Sequence, residues 1–219
     1  YMCFKGVQGE SLMILLDMND IQVSTGSACI SSDLQPSSTL TAIGIDKEDI
    51  KEGLLKYTGA HRRFEFVGST NGANVFDDYG HHPTAIKTTL EGYREFYKGR
   101  KIIVDFMSHT YSRTQALLNE FSESLVCADE IILHKIYSSA RENPSDFEIT
   151  GKTLYEQVLK TGKSKDCVHY FEEVLDAKDF VIQLLNRPLS DKFPDGYLFV
   201  TMGAGDNWKL GKAVLNDYL

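Results

Sequence analysis

The chain has 219 residues, 31 Asp and Glu against 23 Lys and Arg for a net charge of −8, and 42 % apolar residues. That balance fits an acidic globular protein with a sizeable core and excludes broad binding to nucleic acid or to an anionic membrane face, both of which need clustered Lys and Arg. The longest uncharged apolar run, residues 11–16, is far short of the roughly 20 residues that cross a bilayer, and the opening has no signal-peptide layout, so no membrane insertion and a cytoplasmic location are expected.

In chain order, the first third reads as a short helix over 10–18, a strand over 22–24, a small-residue loop over 25–32 and a helix over 38–43. A boundary is expected within 44–53. From about Gly72 onward, short apolar runs alternate with stretches whose apolar residues recur at helical spacing, the βαβα pattern of an open, mostly parallel, Rossmann-like α/β sheet. Strands are predicted at 73–77, 101–107, 130–135, 167–171 and 197–202, mostly as the continuous apolar runs of strands buried on both faces. Helices are predicted from Pro83, with Ile86, Leu90, Tyr93 and Tyr97 on one face, from about Ser112, and over 153–160, 172–185 and 208–218. Cys3, Cys29, Cys127 and Cys167 are widely spaced, so neither a zinc site nor a disulfide framework is expected.

In such a sheet, ligands bind beyond the carboxyl ends of the strands. The segments there are Asp77-Asp78-Tyr79-Gly80-His81-His82, Ser108-His109-Thr110-Tyr111-Ser112-Arg113, Ile136-Tyr137 and Gly203-Ala204-Gly205-Asp206. Carboxylates, imidazoles, an arginine and a glycine turn on one rim suit a magnesium nucleotide and an anionic substrate. Each also has a plainer reading. Asp78 could cap the next helix, the paired histidines could be turn residues, and Arg62-Arg63 could be an exposed basic pair. Gly203-Ala204-Gly205 lacks the third glycine of a dinucleotide fingerprint.

With His61-Arg62-Arg63-Phe64-Glu65 before them and Ala140-Arg141-Glu142 among them, these motifs stand in the order of the C-terminal domain of UDP-N-acetylmuramate–L-alanine ligases, which residues 46–219 resemble. The resemblance implies a Mur ligase reaction. ATP and magnesium convert the muramate carboxylate to an acyl phosphate, which the amine of L-alanine attacks in peptidoglycan synthesis. It places Arg63 and Asp78 at the nucleotide as catalytic groups, Asp78 as a magnesium ligand, and Tyr79, His81, His109 and Arg113 at the amino-acid side. Ser108 departs from the proline usual before that histidine. No G-x-x-x-x-G-K-[ST] phosphate loop is present, so half a ligase active site is expected, inactive alone unless the missing ligase domains act in trans.

Residues 1–45 are similar to the tail of NifS-type cysteine desulfurases through Val23-Ser24-Thr25-Gly26-Ser27-Ala28-Cys29 and Leu34-Gln35-Pro36-Ser37. That resemblance implies a PLP-dependent sulfur transfer with Cys29 as the sulfur carrier, and the two resemblances meeting near residues 41–46 point to a chimera joined there by gene fusion, deletion or a sequence-assembly error. Three readings therefore stand beside one another: a ligase C-terminal domain, a sulfur transferase, and a non-catalytic module that keeps the ligase rim.

Overall fold

The computed structural model describes residues 61–217. The chain divides into two compact units, residues 1–63 and 64–219, and the second holds the sheet. The elements expected before residue 44, and the junction expected near 41–46, lie outside the described residues.

Six strands are ordered β1-β2-β6-β3-β4-β5. They are β1 (Glu65–Thr70), β2 (Ala73–Asp78), β3 (Arg100–Phe106), β4 (Glu130–Leu133), β5 (Val168–Tyr170) and β6 (Gly196–Met202). All neighbours run parallel except β1, which pairs antiparallel with β2. The helices are α1 (Pro83–Phe96), α2 (Tyr111–Ala116), α3 (Leu118–Leu125), α4 (Gly151–Lys160), α5 (Lys178–Leu185) and α6 (Trp208–Asn216). The α/β sheet expected from the sequence is thus observed, with four refinements. The edge strand β1 is not among the predicted strands, and the helix expected from Ser112 is broken at Leu117 into α2 and α3. The stretch 172–185 starts as a 3-10 turn, Val174–Ala177, before α5, and β4 stops at Leu133, short of the expected 135.

Alternation along the strands sorts the core into two layers, because successive side chains leave opposite faces. Ile102, Val104 and Phe106 of β3 join Leu198, Val200 and Met202 of β6 and the apolar stripes of α1, α3 and α4 on one face. Ile103 and Met107 join Tyr197 and Phe199 with α5 and α6 on the other. Burying each such side chain stabilises by about 1.5–3 kcal/mol, and those layers fix the sheet between them. Crossovers of one hand explain the arrangement. The chain steps from β2 through β3 and β4 to β5 with helices on the first face, then turns back to β6 with α5 on the second.

That reversal positions the site. The chain leaves β2 and β3 toward the first face and leaves β6, which lies between them, toward the second. Loops that part in this way open a crevice at the carboxyl ends of the strands.

Candidate active site at the carboxyl rim

The floor of the crevice is the turn after β6. Gly203 has φ +135°, and a Cβ there would lie 2.3 Å from the Met107 carbonyl oxygen, so only glycine fits the strand end against the β3 loop. The Gly203 N–H donates to the Asp78 carbonyl at 2.9 Å and Met107 N–H to Met202 at 3.1 Å, which ties the three strand ends together. With glycine at 203 and 205, the middle of the rim carries a single methyl, that of Ala204. The flanking loops of β2 and β3 stand two strand spacings apart, roughly 10 Å, which leaves room between them for a small molecule.

On the β2 side, Asp78 is fully buried. Its Oδ1 accepts the Gly80 N–H at 2.7 Å and its Oδ2 the Phe64 N–H at 3.0 Å. The carboxylate therefore shapes the Tyr79-Gly80-His81 loop. A magnesium ion at Asp78 would share oxygens that already accept backbone N–H groups. Neighbouring Asp77 accepts the Thr201 hydroxyl at 2.8 Å. Among the described residues no group of three or more His, Cys, Asp or Glu is placed to hold a metal. Tyr79 and His81 are half-buried beyond this loop, their rings edge to face at 5.3 Å, with His81 Nδ1 3.0 Å from the Tyr79 carbonyl. His82 starts α1, its Nδ1 accepting the Thr84 N–H at 3.3 Å, so this half of the histidine pair is a helix cap.

On the β3 side, His109 and Arg113 form one arm, with Arg113 Nη1 donating to the His109 carbonyl at 3.0 Å. Burial and the Arg113 guanidinium hold His109 below the usual imidazole range against an opposing pull from Glu142, so the ring is neutral near pH 7. The Nδ1 of His109 is buried without a hydrogen-bond partner, as are Ser108 Oγ on the same loop and Asn207 Oδ1 beyond the glycine turn. Orphaned polar atoms are uncommon in folded proteins, and three of them on adjoining loops mark a place shaped for a bound molecule or water. Next to the arm, a cavity of about 530 Å³ is floored by Met107 and Ile136, edged by Tyr111 and Tyr137, and flanked by the Lys135–Glu173 and Lys209–Asp206 ion pairs.

The sequence reading missed the polar cluster beneath this rim. Asp105, His134 and Asn207 are all at least 98 % buried. His134 Nε2 lies 2.5 Å from Asp105 Oδ1 and its Nδ1 3.0 Å from the Phe171 carbonyl, while Asn207 Nδ2 donates to Asp105 Oδ2 and to the Asp105 and Met202 carbonyls, each at 3.0 Å. Four strand ends are joined through three side chains. The signal was available: an aspartate inside the run Ile-Ile-Val-Asp-Phe must find a buried partner or it would not be tolerated there.

Of the other expected site residues, Arg63 falls in the first unit and Cys29 lies outside the described residues. No helix among the described residues is long and apolar enough to cross a membrane.

The chain also matches known proteins. The family described as Mur ligase, glutamate ligase domain, matches residues 62–205. UDP-N-acetylmuramate--L-alanine ligases from Treponema pallidum and Borreliella burgdorferi are 41 % and 38 % identical over 98 % and 100 % of this chain, which covers 42 % and 43 % of theirs. The chain thus spans about two fifths of the length of these curated relatives. The Borreliella match takes in residues 1–45, so that segment falls within one ligase alignment, and the comparisons lend nothing to a desulfurase fragment, to PLP or to Cys29 as a sulfur carrier. Among solved structures, the UDP-N-acetylmuramate-alanine ligase of Thermotoga maritima superposes with a TM-score of 0.62 at 22 % identity, over 82 % of this chain and 35 % of that one. A folylpolyglutamate synthase of Mycobacterium tuberculosis, solved with ADP and AMPPCP, superposes at 0.54 with 16 % identity, over 78 % of this chain and 35 % of that one. Both likenesses concern the fold.

Proposed function

The chain belongs to the Mur ligase family through its glutamate ligase domain, and from that premise we propose that it is the acceptor-side domain of an ATP-dependent ligase joining L-alanine to a UDP-muramate-type carboxylate in peptidoglycan synthesis. In this reading the phosphate-binding groups for ATP come from the part of the protein that the relatives have and this chain does not span. Those groups make the activated carboxylate. This domain's own residues bind and orient the amine that attacks it.

The observation that carries the reading is the pair of loops facing each other across the bare glycine turn, Tyr79 and His81 on one side and His109 and Arg113 on the other. A guanidinium suits the carboxylate of an amino acid, and the roughly 10 Å between the loop backbones leaves space for alanine rather than for a large side chain. The neutral ring of His109 can accept a proton at a nitrogen as an ammonium group gives up its proton to become a nucleophile. Asp78 acts through the loop it shapes, and no step here runs through a magnesium ion held by this domain. Arg63 is proposed for the nucleotide side on the strength of the family motif alone.

NMR titration of the full chain with L-alanine tests this directly. Shifts are expected at His81, His109, Arg113 and the Gly203–Gly205 amides, and Arg113→Ala is expected to weaken them by about 2 kcal/mol, roughly thirty-fold. Shifts confined to other parts of the sheet, or unchanged by Arg113→Ala, would contradict the assignment.

A further inference from the structure

The arm carrying His109 and Arg113 is held from outside. Its helix α2 is only six residues long, and its N-cap residue Thr110 makes no side-chain capping bond. A helix start without a cap leaves N–H groups unsatisfied. Here they are met by Glu142, thirty residues further on, whose Oε2 accepts the Tyr111 N–H at 2.9 Å and Oε1 the Ser112 N–H at 3.3 Å, with the Ser112 hydroxyl donating to the same oxygen. Two more contacts come from the same segment. Tyr137 N–H donates to the Ser108 carbonyl at 2.9 Å, and the Phe147 ring stacks on Tyr111 at 5.7 Å. Residues 137–147 therefore form a strap across the arm, and the Glu142 carboxylate is its polar fastening. The strap itself is pinned by local bonds, Glu142 N–H to the Ser139 carbonyl at 3.1 Å and Arg141 N–H to Ser139 Oγ at 3.1 Å.

We propose that Glu142 is a positioning residue for the acceptor site, holding the His109–Arg113 arm in register through the backbone N–H groups at the start of α2. The functional consequence rests on the reading that this arm receives the amino acid. The mechanical claim does not. A side chain that caps a distant loop converts the order of one rim segment into the order of another, so the guanidinium of Arg113 is presented in one place rather than over a range of places. Both Glu142 oxygens are used, which distinguishes it from a glutamate that merely offers charge to a helix start.

Backbone amide exchange of the full chain, in wild type, Glu142→Gln and Glu142→Ala, tests this. The diagnostic amides are Thr114 and Leu117, whose N–H groups bond to the Thr110 and Arg113 carbonyls and not to Glu142. In Glu142→Ala they are expected to lose protection at least tenfold, with Ile103 of β3 and Val200 of β6 unchanged within twofold. Glu142→Gln keeps one acceptor oxygen and is expected to fall between the two. Protection at Thr114 and Leu117 within twofold of wild type in Glu142→Ala overturns the proposal. So does a glutamine variant equal to alanine, because charge alone would then be acting. If the alanine variant also loses protection in β3 and β6, the glutamine variant decides: a several-fold loss confined to the arm supports the proposal, and no loss overturns it. The titration of His109 supplies an independent sign. Freeing the arm relieves burial and raises its pKa, whereas removing the Glu142 charge alone lowers it, so a rise in Glu142→Ala supports positioning. An L-alanine affinity reduced about tenfold in Glu142→Ala completes the expectation. If wild type gives no response to L-alanine while the exchange pattern holds, the acceptor reading fails and the strap stands.

Discussion

At the residue scale, the instructive group is His134. Its two ring nitrogens both face acceptors, the Asp105 carboxylate and the Phe171 carbonyl, so both bonds are made only when each nitrogen carries a proton. Burial alone would lower its pKa, but the charge and hydrogen bond of Asp105, then the Phe171 carbonyl and Asp206, raise it above 6.5 on balance. A histidine with a raised pKa in the folded chain stabilises it fully below the unfolded value near 6.5, and that contribution is lost as pH climbs through the raised folded value. Urea unfolding of wild type is therefore expected to weaken above about pH 6.5 by more than it does in His134→Gln. Parallel pH profiles for the two proteins would show that folding leaves the His134 pKa unshifted, contrary to this account. The same residue shows where sequence reading stops. Tyr79, His81, His109 and Arg113 were legible because they stand in polar motifs at strand ends. Asp105 and His134 lie within or against apolar runs, and their pairing spans 29 residues that no local spacing reveals.

At the element scale, the buried parallel strands were legible for a physical reason. A strand covered on both faces is a continuous apolar run, and residues 102–104 of β3, 131–133 of β4 and 197–200 of β6 are such runs, whereas β2 holds only Val75 and Phe76 between Asn74 and Asp77. Strand β1 is a half-exposed edge with Gly68 in its middle, so neither composition nor alternation marks it. Its hairpin did leave a signal, the dipeptide Asn71-Gly72, whose φ values of +43° and +74° are those a two-residue primed turn requires. Why one helical stretch became α2 and α3 was invisible in periodicity, since Leu117, Leu118, Phe121 and Leu125 follow the break with helical spacing and all pack on the core. The glycine turn after β6 gives the test at this scale. Gly203→Ala sets a Cβ against the Met107 carbonyl at a φ that side chains avoid, and is expected to destabilise the domain by about 2 kcal/mol or more in urea unfolding. A change below about 0.5 kcal/mol, the range of ordinary surface substitutions, would show that the three strand ends are not locked together at this turn.

At the scale of the whole molecule, the sheet is a frame that superposes on an alanine ligase and a folylpolyglutamate synthase, and in the proposed reading the loops of its carboxyl rim supply the chemistry. The specific reading comes from the motifs on the rim and from the spirochaete ligases that match the chain along its length. The chain spans about two fifths of the length of those relatives, so the proposed reaction is best tested within a full-length ligase. The most direct test grafts residues 64–219 in place of the corresponding segment of the Treponema pallidum ligase and assays ATP-dependent joining of L-alanine to UDP-N-acetylmuramate. Ligation by the folded chimera is expected, with a loss of roughly thirty-fold or more on Arg113→Ala; a folded chimera that forms no product, or one indifferent to Arg113→Ala, would contradict the acceptor-side assignment.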